Sequence, residues 1–401
     1  MRRYSRSSIA FALALTFAPR PHIHAQTPLP DLTQADALGN DIFLKSGSTG
    51  MVLVVVRDNQ VFFRGYGETA PGSAQLPQQN SILRLCSLSK IFASDLLIKL
   101  AGDKLVRLDD PLQKFAPPKV KVPVKLPSKK PITLADLATH TSGLPREVGG
   151  APKGTPHFTF PDYADRWRWL PKQILKTTPG TVALYSNVGF DLLGDALEKA
   201  AHKPYAKLLA ERTTGPLGMH VTGFTPTPAQ CERLLQGAHD EGPCTDTQSS
   251  AASAGVYSTA TDMAVWLKYL LGTGAIAQDP AAQAVYIQPE NLVSVKGLDH
   301  AGAPTGIGLG WMHIAATDRS DITEKTGGGA GFLTYIALSQ THHTAIFIAA
   351  TDGAVESQIR VFHEANNLLL AVDGLPPLPP EPPKPARKPA HKKLPRRKPS
   401  A

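Results

Sequence analysis

The stretch Ser87-Leu88-Ser89-Lys90-Ile91-Phe92-Ala93-Ser94-Asp95-Leu96-Leu97-Ile98-Lys99-Leu100 decides how this chain is read. Ile91, Leu96, Leu97 and Leu100 recur at roughly helical spacing, which predicts a helix with a buried stripe. If Ser87 opens that helix, Lys90 lies one turn behind its hydroxyl, and the helix N-terminus favours negative charge developing at the serine. A lysine enclosed by apolar neighbours tends to lose its proton, because burial penalises the charged form, and a second cation nearby lowers its pKa further. A serine hydroxyl is a weak nucleophile at neutral pH, and such a lysine supplies the base it needs.

Ser-x-x-Lys alone says little, since it turns up about once by chance in a chain of this length. Two more motifs follow it in order: Tyr185-Ser186-Asn187 and Lys325-Thr326-Gly327. After the third comes a strand pattern, Gly331-Phe332-Leu333-Thr334-Tyr335-Ile336-Ala337-Leu338. The ordered set offers a nucleophile, two candidate bases, a cation for a substrate carboxylate and small residues beside the acyl group. Those are the parts of a serine acyl-transfer site.

Working outward, Met51 to Val56 and Gln60 to Tyr66 read as strands joined by a turn at Asp58-Asn59. The middle, from Ser87 to Leu271, reads as mostly helical, with Asn187 to Ala201 and Tyr205 to Arg212 the clearest amphipathic runs. Strands return at Gly308 to Ile314, Gly331 to Ser339 and Thr344 to Ala350, and Val355 to Val372 reads as a closing helix. This is an α/β pattern: an antiparallel sheet assembled from N- and C-terminal parts, flanked by helices, with a helical lobe inserted. The site is expected where the lobes meet, since clefts between subdomains are common ligand sites.

Residues 1–25 have the pattern of a secretory signal peptide, with Arg2, Arg3 and Arg6 ahead of the apolar run Ile9 to Leu15 and small residues toward Ala25. The run is too short to span a bilayer, and export across the inner membrane to the periplasm is expected. Of the formal charge of +9, the first 25 residues carry four arginines and no acid. Residues 374–401 add eight Lys or Arg against Glu381, so the body between is close to neutral and gives no footprint for nucleic acid. That last segment interleaves ten prolines with its basic residues and is expected to be a disordered tail, either merely solvated or adhering to anionic envelope surfaces. The catalytic domain is then 26–373.

An oxidising compartment favours a disulfide between Cys231 and Cys244, which flank a short Gly- and Pro-containing loop, with two free thiols as the alternative. Cys86 is left over in an apolar run and reads as packing. No Cys/His cluster has metal-ligand spacing, so neither metal nor cofactor is expected. His342-His343 reads as a turn between strands, and Asp136 as a support for its own helix.

The three motifs resemble those of the serine β-lactamase and penicillin-binding protein superfamily. Tyr-x-Asn in the middle position points to its class C side. Ile132 to Pro145, containing His140-Thr141-Ser142-Gly143, is similar to the helix and loop between the first two motifs of that group, as are Pro216-Leu217-Gly218-Met219 and Gly308-Leu309-Gly310-Trp311. Gly50 to Val55, Tyr66-Gly67-Glu68-Thr69, Leu144-Pro145-Arg146-Glu147, the segment from Gln230-Cys231 to Pro243-Cys244, and Lys325-Thr326-Gly327-Gly328-Gly329 look most like its D-alanyl-D-alanine carboxypeptidase/endopeptidase branch. The likeness spans about residues 31 to 372. Ala330 in the glycine run, Cys86 before the serine and the tail depart from it.

The resemblance implies an acyl-enzyme hydrolase of peptidoglycan stem peptides that also binds β-lactams. A class C-like β-lactamase is the nearest alternative; an esterase and a non-turnover penicillin sensor come behind. It implies Ser87 as nucleophile, Lys90 or Tyr185 as base, Asn187 as donor to the substrate amide, and Lys325 with Thr326 as the carboxylate site. The backbone N–H groups of Ser87 and Gly328 would form the oxyanion hole. Arg146 and Glu147 fall in a loop at the cleft rim and read as a solvated pair.

Overall fold

The run Gly50-Met51-Val52-Leu53-Val54-Val55-Val56-Arg57 has no polar alternation, which marks a strand buried on both faces. In the computed structural model, which describes residues 33–239, 241–298, 303–351 and 355–380, this is β1 (Gly50–Arg57), the second strand of a seven-stranded sheet. β2 is Gln60–Gly67, joined to β1 through Asp58 in the left-handed conformation suited to a tight hairpin. The other five strands come from the C-terminal part: β3 (Pro304–Ile307), β4 (Met312–Ala315), β5 (Asp321–Gly329), β6 (Phe332–Ser339) and β7 (Thr344–Thr351). Their order is β2-β1-β7-β6-β5-β4-β3, antiparallel throughout. β1 pairs with β7, Met51 opposite Ala350 and Arg57 opposite Thr344, so the two ends of the chain share one sheet.

Side-chain alternation divides the core into two layers. Met51, Leu53 and Val55 face α1 (Thr33–Ser46) and the closing helix Val355–Val372, which supplies Val361, Phe362, Ala365 and Leu369. Val52, Val54 and Val56 face the lobe, with Leu96, Leu97 and Trp266. α2 (Ser89–Gly102) lies at the centre of that second layer, and every residue from Ser89 to Ile98 is buried. The sequence pattern predicts a single apolar stripe; the helix from Ser89 to Ile98 is instead enclosed on all sides, which is why Lys90 has no route to solvent, whereas Lys99 in the last turn is partly exposed.

The lobe is less helical than its sequence suggests. Between Gly102 and Asn187 the α-helices are short, α3 (Leu134–Ala138) and α4 (Tyr163–Trp169), and most of the chain runs as loops. Those loops are pinned by side chains. Thr133 and Asp136 form a reciprocal cap at the start of α3, the supporting role expected of Asp136. Arg166 on α4 forms a buried ion pair with Asp195 at 2.6 Å and donates to the carbonyls of Pro161 and Ser249, tying three segments together. α5 (Asn187–Ala201) occupies the expected range, and α6 (Tyr205–Leu209) is continued by a wider turn over Ala210–Thr214.

Two expectations need correction. Gly308 to Ile314 is not one strand but the turn and second strand of a hairpin, because Gly310 adopts φ +75° and donates its N–H to Ala138 O at 2.8 Å. The expected free tail also starts later than residue 374. Leu375 and Leu378 pack against the sheet's outer core, Leu378 N–H donates to Asn367 Oδ1 at 2.8 Å, and Thr317 Oγ1 donates to Pro376 O at 2.9 Å. Residues 1–25, expected to be a signal peptide, and residues 381–401 lie outside the described residues. Among the described residues, no helix is long and apolar enough to cross a membrane. His342-His343 forms the turn between β6 and β7, as expected.

β5 reaches the start of α2 only because Gly327 has no side chain. A Cβ there would collide with Thr334 Oγ1 and stand 2.9 Å from Leu85 O and 3.2 Å from Ser87 N. Gly327→Ala is therefore expected to cost about 1–3 kcal/mol through overpacking, measured by urea denaturation. A loss under roughly 0.5 kcal/mol would show that the strand moves aside freely.

Candidate active site

Ser87 sits in a single tight turn, Cys86–Leu88, that runs directly into α2. The turn is held from both sides. Leu85 N–H donates to Val256 O at 2.8 Å, Ser89 Oγ donates to Cys86 O at 2.7 Å, and Thr334 Oγ1 on β6 donates to Leu85 O at 2.9 Å. Cys86 takes the left-handed conformation, φ +51°, a strained value for a residue with a side chain and one that occurs where a turn must aim its neighbour. Its thiol is buried, donates to Gly329 O at 3.2 Å and is pushed up to about 12 by burial, so it packs as an inert group beside the serine.

Lys90 Nζ lies 3.2 Å from Ser87 Oγ and donates to Asn187 Oδ1 at 2.6 Å and Ser253 O at 2.8 Å. Burial holds the amine well below its ordinary pKa, and the positive charge of Lys325 pushes it further the same way. Tyr185 Oη donates to Ser87 Oγ at 2.7 Å. The spacing of Tyr185-Ser186-Asn187 has a local cause. Ser186 is the N-cap of α5, its Oγ accepting from Gly189 N–H at 3.0 Å, so Tyr185 ends the incoming segment and Asn187 opens the helix.

Lys325 is buried on β5 with its Nζ 5.3 Å from the centre of the Tyr185 ring, donating to Thr326 O at 2.9 Å. The ladder between β4 and β5 covers Asp321–Glu324, so the strand continues past it and its Gly327-Gly328 portion runs alongside Ser87. Gly328 is exposed on that stretch. The expected residues Ser87, Lys90, Tyr185 and Asn187 are thus joined by direct hydrogen bonds, with Lys325, Thr326 and Gly328 on the adjacent strand. Cys231 and Cys244 are bonded, Cα–Cα 5.7 Å. Arg84 donates to the carbonyls of Glu241, Gly242 and Pro243, which leans the disulfide loop against the residues just before Ser87.

Sequence reasoning passed over five contributors. His140 stacks on the Tyr185 ring at 4.4 Å, accepts from Ser186 N–H at Nδ1 (3.1 Å) and accepts from Leu184 N–H at its carbonyl (2.8 Å). Burial holds this imidazole well below its ordinary pKa, and the charges of Lys325, Arg146 and, whenever it is protonated, Lys90 push it the same way. Arg146 and Glu147 are not merely a solvated pair. The Arg146 guanidinium lies 4.6 Å from the Tyr185 ring centre, its carbonyl accepts from Asn187 N–H at 2.8 Å, and the Glu147 carboxylate accepts from Asn187 Nδ2. Asp191 accepts from Ser253 N–H at 3.2 Å, and burial raises its carboxyl to about 7. Its spacing of four from Asn187 was a visible helical signal; Ser253 acts through a backbone carbonyl and leaves none. Among the described residues no His, Cys, Asp and Glu are gathered as a metal would require.

The chain has known relatives. The sequence profile of the family described as Beta-lactamase matches residues 33–363. The Escherichia coli (strain K12) D-alanyl-D-alanine-carboxypeptidase/endopeptidase AmpH is 39% identical over 381 residues, covering 93% of this chain and 98% of that protein. A crystal structure of a β-lactamase/D-alanine carboxypeptidase from Yersinia pestis is 42% identical and superposes with a TM-score of 0.79 over 83% of this chain and 97% of that one. A class C β-lactamase at 19% identity, TM-score 0.66, covering 83% of this chain and 94% of that one, shares the fold. The chain belongs to the β-lactamase family.

Proposed function

We propose that this chain is a serine D-alanyl-D-alanine carboxypeptidase/endopeptidase that hydrolyses peptidoglycan stem peptides through an acyl-enzyme and is acylated by penicillins. The observation that carries the reading is the convergence of Tyr185 Oη and Lys90 Nζ on Ser87 Oγ, at 2.7 and 3.2 Å, within a chain 39% identical to AmpH. Ser87 Oγ attacks the carbonyl of the D-Ala-D-Ala bond and its proton passes to the Lys90–Tyr185 pair that meets it. The new C–O bond forms and the negative charge on the carbonyl oxygen is held by the N–H groups of Ser87 and Gly328. The C–N bond then breaks, the departing amine takes the proton, and water hydrolyses the ester by the same route in reverse.

Lys325 and Thr326 receive the terminal carboxylate, which stem peptides and penicillins both carry, and Asn187 Nδ2 donates to the acyl amide. Residues 1–25 direct the chain to the periplasm. The basic residues beyond Pro380 give it a peripheral, salt-sensitive attraction to anionic envelope material. A class C-like β-lactamase would use the same residues and differ in how fast water clears the acyl-enzyme. Turnover of a D-Ala-D-Ala peptide measured beside that of a cephalosporin separates the two.

Ser87→Ala is expected to abolish both peptide hydrolysis and the single penicillin adduct seen by intact mass; an adduct that survives would move the nucleophile elsewhere. Lys325→Ala should reduce turnover of carboxylate-bearing substrates on the order of tenfold or more beyond any loss on an uncharged ester. On that ester the variant should also move the acid limb of kcat/KM to higher pH, because removing a nearby cation lets Lys90 hold its proton longer. A limb that stays in place would remove Lys325 from the tuning of Lys90. Deleting residues 381–401 should leave turnover of a small soluble peptide unchanged and weaken co-sedimentation with purified peptidoglycan or anionic vesicles at low salt. Equal co-sedimentation would leave the tail as a solvated terminus.

A further inference from the structure

The side-chain amide that the proposed site turns toward the substrate is already tied to a carboxylate. Asn187 Oδ1 is committed to Lys90 Nζ at 2.6 Å, which fixes the orientation of the side-chain amide and turns Nδ2 outward, and there Nδ2 donates to Glu147 Oε1. A carboxylate acceptor makes this a charge-assisted hydrogen bond, of the stronger kind. Nδ2 carries two hydrogens, so the one not given to Glu147 is left for an acyl group, which then arrives beside that carboxylate.

Glu147 is well placed to be drawn away. Its side chain is 54% exposed at the rim of the cleft, while Lys90 is fully enclosed. Its nearest cation, the Arg146 guanidinium, is only loosely paired at 3.9 Å and lies over the Tyr185 ring at 4.6 Å. An ammonium arriving with the acyl group would pair with the Glu147 carboxylate while the second Nδ2 hydrogen meets the substrate carbonyl. An uncharged acyl group would gain nothing from that carboxylate.

Building on the proposed site, we infer that Glu147 is a specificity-determining residue selecting substrates whose acyl portion carries a free amine on the side of the amide that meets Asn187 Nδ2. Stem peptides with an unblocked side-chain amine are that class, and peptides with the amine acylated are disfavoured. Specificity here is a difference between two acylation rates, set by what each substrate leaves unpaired.

Ampicillin and benzylpenicillin test this, since they differ by one amine on the carbon next to the amide carbonyl. Second-order acylation rate constants for both are measured by competition with a fluorescent penicillin, on the full chain and on Glu147→Gln and Glu147→Asp. The wild type is expected to favour ampicillin on the order of tenfold, the size of one charge-assisted contact. Glu147→Gln should bring the two within about twofold, Glu147→Asp should keep part of the preference, and added salt should shrink it in the wild type because the pair is half exposed. Adducts with a wild-type ratio near one, or a ratio unchanged in Glu147→Gln, would overturn the amine preference alone. No adduct with either penicillin would overturn the acyl-enzyme reading and this inference with it.

Discussion

An amine with no access to water is the constraint around which this molecule is arranged. Lys90 Nζ is enclosed at the centre of α2 and meets Ser87 Oγ, Asn187 Oδ1 and Ser253 O, with the Tyr185 and Phe190 rings at 4.8 and 5.5 Å. An unpaired charge in such a place costs far more than a neutral amine, so the surroundings favour loss of the proton. Three distant segments must all be in register to receive that one nitrogen: the turn before α2, the cap of α5 and the loop carrying Ser253. The rest of the lobe, with the Arg166–Asp195 pair and the Thr133–Asp136 cap, keeps those segments in place.

The charges around this nitrogen oppose one another. Lys325 and Arg146 favour the free amine, whereas Asp191 and Glu147 favour the ammonium. Asp191, itself raised to about 7 by burial, also holds the Ser253 loop whose carbonyl faces Lys90. His140 adds no charge at neutral pH and works by stacking and hydrogen bonding, clamping the segment that carries Tyr185. β5 separates two environments by simple alternation: Lys325 faces the site, while its neighbour Glu324 is buried with Tyr335 and Asn366 on the other side.

Much of this arrangement was written locally. The unbroken apolar run at Met51 to Val56, the helical periodicity of Asn187 to Ala201 and the strand patterns from Gly331 to Ala350 each depend on neighbours along the chain, and each element stands where its pattern places it. The three motifs were legible because their spacing is set locally, by one helical turn, one cap or consecutive residues of one strand. What was not legible depends on contacts across the sequence. The hairpin turn at Gly310 exists because that glycine fits against Phe190, Ser94 and Lys90, and the docking of residues 375–378 depends on a groove beside the closing helix. Arg146 and Glu147 look like any exposed ion pair until α5 is placed beneath them.

The pairing of β1 with β7 joins residues separated by about three hundred positions, as in the hydrogen bond from Gly50 N–H to Thr351 Oγ1. Closing so long a loop sacrifices chain entropy before any of the contacts it permits can compensate, and such non-local pairing is slow to form. The turn bearing Ser87 rests on Thr334 and Gly327 from the far end of the chain. The lobe can therefore acquire its helices early, but the nucleophile gains its final surroundings only when the last strands arrive. In folding terms the catalytic centre is a late event, completed by the C-terminal third rather than by the segment that contains the serine.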